Sequence, residues 1–278
     1  MLKRTFAGKD KVNMTVGYRG NKVFYTVKGD GPACILLHGF LENSSIWKTF
    51  SLQLEKNYNV ICIDLPGHGK SDISKELVSI EGMAMAVQEV VKAEKLDRMH
   101  IVGHSMGGYV GLSLAHLHPE SISQLILLNS TPQADTELRV ANRKHGIAVA
   151  KKNYEAIVKM SISNLFAEQN RKKLRVEIDA LKQEALKTPL EGYINAQIAM
   201  MNRDDLSTFW KNATFRKCMI LGKDDILIDA EEQKKEFESS VNNMAILAGG
   251  HMLFLENAAK TYTTIQDFLD AGNKNPLH

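Results

Sequence analysis

The sequence predicts an α/β protein in which helices cover both faces of a mostly parallel, eight-stranded sheet. Short continuous apolar segments alternate with helical segments along most of the chain, which is the pattern of parallel strands buried on both faces. The chain has 278 residues, of which 44% are hydrophobic, so it can bury a large core without disulfides or metal ions. A long polar helical stretch interrupts the alternation once. We therefore expect one α/β domain with an insertion rather than two independent domains.

The first two predicted strands form an antiparallel pair. Residues 12–28 contain two stretches of alternating apolar and polar residues on either side of the turn Arg19–Asn21. The parallel part of the sheet then begins, because the next apolar runs do not alternate. Its predicted elements, in chain order, are the strand Cys34–Leu37, a helix near Ser44–Leu54, the strand Val60–Ile63, a helix near Ile80–Ala93, and the strands His100–Val102 and Leu125–Leu128.

The insertion is the stretch 133–213, which is helical and rich in Lys, Glu, Ala and Leu, with interruptions at Pro189 and Gly192. The alternation resumes after it with the strand Cys218–Leu221, a helix near Ala230–Phe237, the strand Met244–Leu247 and a helix near Ala258–Leu269. We therefore predict a core domain made of residues 1–132 and 214–278 and a helical cap made of residues 133–213. Ligands of open α/β sheets bind at the carboxyl ends of the strands, so a cap rooted there would roof the binding pocket.

Composition excludes several classes of protein. A net charge of +3 is too small for a nucleic-acid-binding protein. Cys34, Cys62 and Cys218 each lie in a predicted strand, where we expect them to be buried small hydrophobic residues rather than metal ligands or disulfide partners. The segment Met1–Asp10 has no apolar signal core, and no run approaches the ~20 apolar residues of a spanning helix. We expect a soluble cytoplasmic protein.

The pentapeptide Gly103–Gly107 is the most informative motif of the chain. It has the form G-x-S-x-G, with Ser105 at its centre, and it lies between a predicted strand and a predicted helix over residues 108–117. This strand, tight turn and helix are the context of a nucleophile elbow, which projects one serine at the carboxyl end of a strand. The helix directs its positive dipole end at the position where negative charge would develop.

A serine becomes a nucleophile when a base removes its proton and an acid orients that base. Two candidate acids, Asp224 and Asp225, follow the strand Cys218–Leu221, and His251 follows the strand Met244–Leu247. Because parallel strands end at one edge of the sheet, these residues and Ser105 are expected at that same edge.

At these motifs the chain resembles the α/β-hydrolase superfamily, in particular its capped serine hydrolases of the carboxylesterase and prolyl-aminopeptidase-like types. The resemblance covers nearly all of the chain outside the cap. Its motifs, in order, are His38–Phe40, Asp64–Asp72, Gly103–Gly108, the pair Gly222 and Asp225, and Gly250–His251.

The resemblance implies a role for each matching residue. Ser105 matches the nucleophile, His251 the general base, and Asp225 the orienting carboxylate, because the family's acid usually lies three residues past the glycine. The backbone N–H groups of Phe40 and Met106 match the oxyanion hole. No acid follows the preceding strand, where some relatives carry it.

Residues outside these motifs give less information. His104, next to the nucleophile, and Trp210, at the end of the cap, are candidates for lining a substrate pocket, although core packing is the more common role of a tryptophan. Met160, Met200 and Met201 are expected in the core of the cap. No cofactor or metal is expected.

The activity that the resemblance implies is acyl transfer to water, with a small or medium-sized carboxylic ester as the leading substrate class. A serine at the elbow disfavours the dehalogenases and epoxide hydrolases, whose relatives carry a carboxylate there. A prolyl-type aminopeptidase, a thioesterase, a C–C bond hydrolase and a lyase remain open, and so does a ligand sensor that retains the triad. We expect a small-molecule substrate and no nucleic-acid or membrane partner; the oligomeric state is open.

Two of these alternatives make specific demands on the cap. An aminopeptidase needs acids near the pocket to hold the substrate ammonium, and the cap contains Glu155, Glu168, Glu177, Asp179 and Glu191. A C–C bond hydrolase with an acidic substrate needs basic groups, for which the candidates are Arg139, Arg143 and Arg203.

Overall fold

The computed structural model describes residues 11–73 and 78–274, and it contains one eight-stranded sheet. The segment Met1–Asp10, on which the expectation about a signal peptide rests, lies outside the described residues. The strands are β1 (Lys11–Tyr18), β2 (Asn21–Lys28), β3 (Ala33–Leu37), β4 (Asn59–Ile63), β5 (Met99–His104), β6 (Ile122–Leu128), β7 (Arg216–Gly222) and β8 (Asn243–Leu247).

The strand order in the sheet is β1-β2-β4-β3-β5-β6-β7-β8. β1 and β2 form an antiparallel pair, β2 pairs antiparallel with β4, and every other pair is parallel. The prediction of a mostly parallel sheet is therefore confirmed. Since β3 and β5 to β8 all run in the same direction, the loops that follow them meet at one edge.

Helices cover both faces of this sheet, as the continuous apolar strands predict. Along β3, Ile35 and Leu37 belong to one apolar cluster, and Cys34 and Leu36 belong to the other. Successive side chains of this strand therefore pack on opposite faces of the sheet. The helices are α1 (Lys48–Leu54), α2 (Ile80–Ala93), α3 (Met106–Leu117), α4 (Glu137–Ala150), α5 (Tyr154–Asn164), α6 (Glu168–Arg171), α7 (Arg175–Ala185), α8 (Leu190–Met201), α9 (Ser207–Asn212), α10 (Ala230–Phe237), α11 (Leu253–Glu256) and α12 (Ala258–Lys274).

Helices α4 to α9 lie between β6 and β7, in the stretch that the sequence predicts as an insertion. Pro189 separates α7 from α8 as expected, but Gly192 does not interrupt the chain, because it lies inside α8. A Cβ at Gly192 would lie 2.4 Å from the carbonyl oxygen of Gly67. This glycine therefore allows α8 to pack against the loop after β4, and it is not a helix breaker.

The three cysteines are free thiols buried in β3, β4 and β7, which confirms the prediction that they behave as small hydrophobic residues. Burial raises the pKa of Cys62 to about 12, so this thiol stays protonated at neutral pH. Within residues 11–73 and 78–274, no helix has the length and apolar character needed to cross a membrane.

Candidate active site

Ser105 occupies a sharp turn between β5 and α3. Its backbone has φ 49° and ψ −117°, a region that residues with a side chain rarely adopt. The turn is held by a hydrogen bond from the Ser105 N–H to the carbonyl oxygen of Leu128, at 3.0 Å. A Cβ at Gly103 would lie 2.5 Å from the carbonyl oxygen of Gly107, and one at Gly107 would lie 2.3 Å from that of Leu37. The two glycines of the motif are therefore required by close backbone packing around the serine.

Two backbone N–H groups near Ser105 have no acceptor within the part of the chain that the structure describes. They belong to Phe40, in the loop after β3, and to Met106, the first residue of α3. The first N–H groups of a helix lack an intrahelical acceptor and carry the positive end of its dipole. These are the two groups that the sequence predicts as donors to an oxyanion.

His251 and Asp225 are joined by a buried hydrogen bond. The Nδ1 atom of His251 lies 2.7 Å from Oδ2 of Asp225, and both side chains are almost fully buried. The other carboxylate oxygen of Asp225 accepts the N–H groups of Leu227 at 2.8 Å and Ile228 at 3.2 Å. Because a carboxylate only accepts, Nδ1 donates and Nε2 is left as the basic nitrogen of a neutral ring.

Burial alone would raise the pKa of Asp225. The positive charge that His251 carries when it is protonated, together with the hydrogen bonds from His251, Asn129 and Leu227, outweighs burial and holds this pKa below its ordinary value. Asp225 is therefore ionised throughout the neutral range.

Asp224 lies apart from this arrangement. Its side chain is exposed, and Oδ2 accepts a hydrogen bond from Nε2 of Gln169, in α6, at 2.9 Å. Of the two acids that the sequence offers after β7, Asp225 is the one that contacts His251.

Ser105 and His251 line the same cavity, whose volume is about 480 Å³. No hydrogen bond joins the Ser105 hydroxyl to the His251 ring in the described part of the chain. Such contacts are often long before substrate binds and shorten in the productive complex.

Asn129 is a site residue that the sequence analysis missed. It follows β6, and its Nδ2 atom donates to Oδ2 of Asp225 at 2.8 Å and to the carbonyl oxygen of Gly250 at 3.2 Å. Asn129 has φ 46°, which asparagine tolerates better than most residues. The signal is its place directly after β6, at the edge of the sheet where the other candidate site residues lie.

Glu42 is a second residue that the sequence analysis missed. It accepts the N–H of Gly39 at 2.5 Å and lies 3.0 Å from Nδ1 of His104. The Nε2 atom of His104 in turn lies 2.9 Å from the carbonyl oxygen of His251. His104 is among the residues that line the cavity, and its hydrogen bonds are with the loops that carry the candidate oxyanion donors and the candidate base.

Most of the residues that line the cavity come from the stretch between β6 and β7. The apolar side includes Ile157, Met160 and Ile162 of α5, together with Leu165. The expectation that Met160 lies in the core of the cap is wrong, because this side chain is 54% exposed and lines the cavity. Met200 is buried as expected, and it also borders the cavity.

Trp210 does not line this cavity, so the expectation that it contributes to a substrate pocket is wrong. Its side chain is fully buried in the apolar cluster that contains α2 and α3. Lys217, in β7, places its ammonium 5.7 Å from the indole ring and donates to the backbone carbonyl of Trp210 at 2.6 Å. The physical reason is that α9 directs this side chain into the apolar layer that also contains Phe215 and Phe237.

Comparison with known sequences places these features in a wider context. The family described as "alpha/beta hydrolase fold" matches residues 32–258. An uncharacterised protein of Mycobacterium tuberculosis is 33% identical over 111 residues, which are 40% of this chain and 33% of that protein. A fluoroacetate dehalogenase of a Burkholderia species is 37% identical over 38% of this chain and 36% of the dehalogenase.

A third relative is a pimeloyl-[acyl-carrier protein] methyl ester esterase of Pseudoalteromonas atlantica. It is 34% identical over 38% of this chain and 40% of the esterase. The matched segments therefore span two fifths or less of the length of these three relatives.

Solved structures match over a greater length. A thermophilic esterase from Thermogutta terrifontis superposes with a TM-score of 0.86 and 22% identity, covering 95% of this chain and 99% of the esterase. An enol-lactonase from Burkholderia xenovorans gives 0.84 at 22% identity, covering 92% of this chain and 100% of the enol-lactonase. At this level of identity the likeness concerns the fold.

Proposed function

The chain belongs to the α/β-hydrolase family, and on that premise we propose that it is a serine hydrolase of small or medium-sized carboxylic esters. Ser105 is the nucleophile, His251 the general base and Asp225 the orienting acid. The observation that carries this proposal is the 2.7 Å hydrogen bond between His251 and Asp225, with Nε2 of His251 left free beside the cavity that Ser105 lines. Esterases among the relatives support the same reaction class.

The reaction begins when the Ser105 hydroxyl attacks the ester carbonyl and Nε2 of His251 takes its proton. Asp225 accepts the Nδ1–H of the imidazolium that forms. The N–H groups of Phe40 and Met106 bind the oxyanion, and each such donor typically lowers the barrier by ~3 kcal/mol. His251 then protonates the departing alcohol. In the second half of the reaction, His251 removes a proton from water, and this water hydrolyses the acyl-enzyme.

The helices of residues 133–213 act as the cap in this proposal. They supply both the apolar wall from α5 and the polar wall from α4, so they select the substrate while the sheet edge supplies the chemistry. The finer specificity therefore depends on cap residues rather than on the triad.

Among the alternatives, the aminopeptidase receives the least support. Glu155, Glu168, Glu177, Asp179 and Glu191 are the acids that could hold a substrate ammonium, and none of them borders the cavity in the described part of the chain. The dehalogenase relative does not redirect the proposal, because this chain carries Ser105 at the elbow.

Labelling with a fluorophosphonate tests the proposal, followed by turnover of p-nitrophenyl esters of increasing acyl length. We expect stoichiometric labelling of Ser105, none in Ser105→Ala, and turnover that depends on chain length. Labelling without turnover of any simple ester would favour the ligand sensor or another bond type. Absence of labelling would remove Ser105 from the role of nucleophile.

A further inference from the structure

One wall of the cavity is formed by a polar face of α4. The residues of α4 that line the cavity are Arg139, Asn142, Arg143, His145 and Gly146, and none of them has an apolar side chain. Residues three, four and seven positions apart share one face of a helix, so most of this set forms a single stripe. The cavity therefore has a cationic wall from α4 as well as an apolar wall from α5.

The charge of Arg143 is only partly neutralised. Its Nε donates to Asp135, but Nη1 of Arg203 also donates to Asp135, at 2.6 Å. Burial would raise the pKa of Asp135, yet the two guanidinium groups outweigh burial and hold this pKa below its ordinary value. Two guanidinium groups thus share one carboxylate, and one positive charge remains.

A structural role explains only part of this cluster. Asp135 precedes α4 and Arg203 follows α8, so their ion pair joins the segment before α4 to the segment after α8. That connection needs a single arginine. Arg143 is the member that reaches the cavity, where Nη1 also donates to Oε1 of Gln197 at 3.0 Å and its side chain remains 17% exposed.

Arg139 lies one turn before Arg143 on the same face. Its Nη2 donates to the carbonyl oxygen of Leu227, whereas its Nε and Nη1 form no hydrogen bond within the described part of the chain. Glu42 is the one carboxylate among the described residues that line the cavity, and His104 already pairs with it. Asp135, which Arg143 shares with Arg203, is therefore the one carboxylate hydrogen-bonded to the two arginines of the cationic wall in the described part of the chain.

We propose that this wall binds a carboxylate of the substrate, so that the enzyme acts on esters carrying an ionised carboxyl group remote from the scissile bond. The inference rests on the proposed serine hydrolase function and names its substrate class. Arginine pairs with a carboxylate through strong, charge-assisted hydrogen bonds, above all where water is excluded. The apolar wall from α5 would contact the hydrocarbon part of such a substrate, between its carboxylate and its ester group.

The test compares substrates that differ only in the terminal group. The mono-p-nitrophenyl esters of adipate and suberate are measured against p-nitrophenyl hexanoate and octanoate, and the readout is the ratio of kcat/KM, anionic over neutral. We expect a ratio severalfold above one in the unmodified enzyme. We expect Arg139→Gln and Arg143→Gln each to lower this ratio by roughly tenfold, because a hydrogen bond to a charged group typically contributes a binding free energy of that size. The change should appear mainly in KM.

Lys144→Gln is the matched control, because Lys144 is exposed on α4, carries the same charge and does not line the cavity. Lys144→Gln should leave the ratio unchanged.

Arg139 has no buried partner, so Arg139→Gln keeps the test valid if Arg143→Gln fails to fold. A ratio below one in the unmodified enzyme, or a ratio unchanged in both arginine variants, would overturn the inference. If the inference fails in this way but fluorophosphonate still labels the protein and the neutral esters are turned over, the proposed serine hydrolase function is retained.

Discussion

His104 and Glu42 form a buried ion pair beneath the candidate active site. The Nδ1 atom of His104 lies 3.0 Å from Oε2 of Glu42, and its Nε2 lies 2.9 Å from the carbonyl oxygen of His251. A carboxylate oxygen and a carbonyl oxygen both only accept, so both ring nitrogens of His104 must donate. His104 is therefore an imidazolium, and it ties the loop of Gly39 to the loop of His251.

The pKa values of the pair agree with this geometry. Burial would raise the pKa of Glu42 and lower that of His104, but their mutual attraction and hydrogen bond reverse both effects. The pKa of Glu42 therefore lies below its ordinary value and that of His104 above it. The contribution of Glu42 to stability is lost as pH falls through its lowered pKa. The contribution of His104 is complete below its unfolded pKa of ~6.5 and is lost as pH rises through its raised pKa.

Glu42→Gln should therefore destabilise the protein most between these two limits. We expect a loss of about 3 kcal/mol near neutral pH, since removing one partner leaves a buried charge uncompensated. The measurement is the free energy of unfolding of both proteins as a function of pH. Glu155→Gln removes an exposed carboxylate paired with Lys159 and should have little effect. A difference that does not vary with pH would contradict the ion pair.

Asp225→Asn and Asp224→Asn separate the two neighbouring acids. In Asp225→Asn the new amide could no longer hold the Nδ1–H tautomer of His251, so kcat should fall by about 10³-fold or more while the fold is retained. In Asp224→Asn only the exposed contact with Gln169 is lost, and kcat should stay within about twofold of the unmodified enzyme. Steady-state kinetics of the two variants on one ester decide between the acids, and the opposite ranking would exchange their roles.

The local parts of this fold and site were predictable from sequence, and the pairings between distant residues were not. The bounds predicted for α2 match the structure, because an apolar periodicity follows Ser79, whose side chain caps the first turn. Likewise, the glycines that the turn at Ser105 requires belong to one short motif, although one of them packs against Leu37 in another strand. Glu42, by contrast, is 62 positions from His104, and Asn129 is 96 from Asp225. No periodicity or short motif records such a pairing.

Asn129→Ala tests whether Asn129 positions Asp225. The variant removes the Nδ2–H donor at 2.8 Å, so Asp225 keeps His251 but loses part of its orientation, and we expect kcat to fall roughly tenfold. A general loss of stability could also lower activity, so the decisive readout is a double-mutant cycle with Asp225→Asn. In the Asp225→Asn background the second substitution should have little further effect on kcat, whereas additive losses would assign Asn129 a purely structural role.

Ser105→Gly and Ser105→Ala should both abolish hydrolysis, but they should differ in stability. At most positions alanine is the more stable of the two, because glycine loses more conformational freedom on folding. The φ of 49° at Ser105 reverses this order, since a side chain is strained there and glycine is not. We expect the glycine variant to be more stable than the alanine variant by about 1 kcal/mol in chemical denaturation.

Ser163, inside α5, provides the matched control because helical backbone places no such demand on its side chain. There, alanine should be more stable than glycine by about 1 kcal/mol. The same order at both positions would mean that the turn stores no strain at Ser105. The reversed order at Ser105 alone would show that the backbone conformation of this residue is maintained at a cost in stability, as expected for a residue retained for chemistry rather than for the fold.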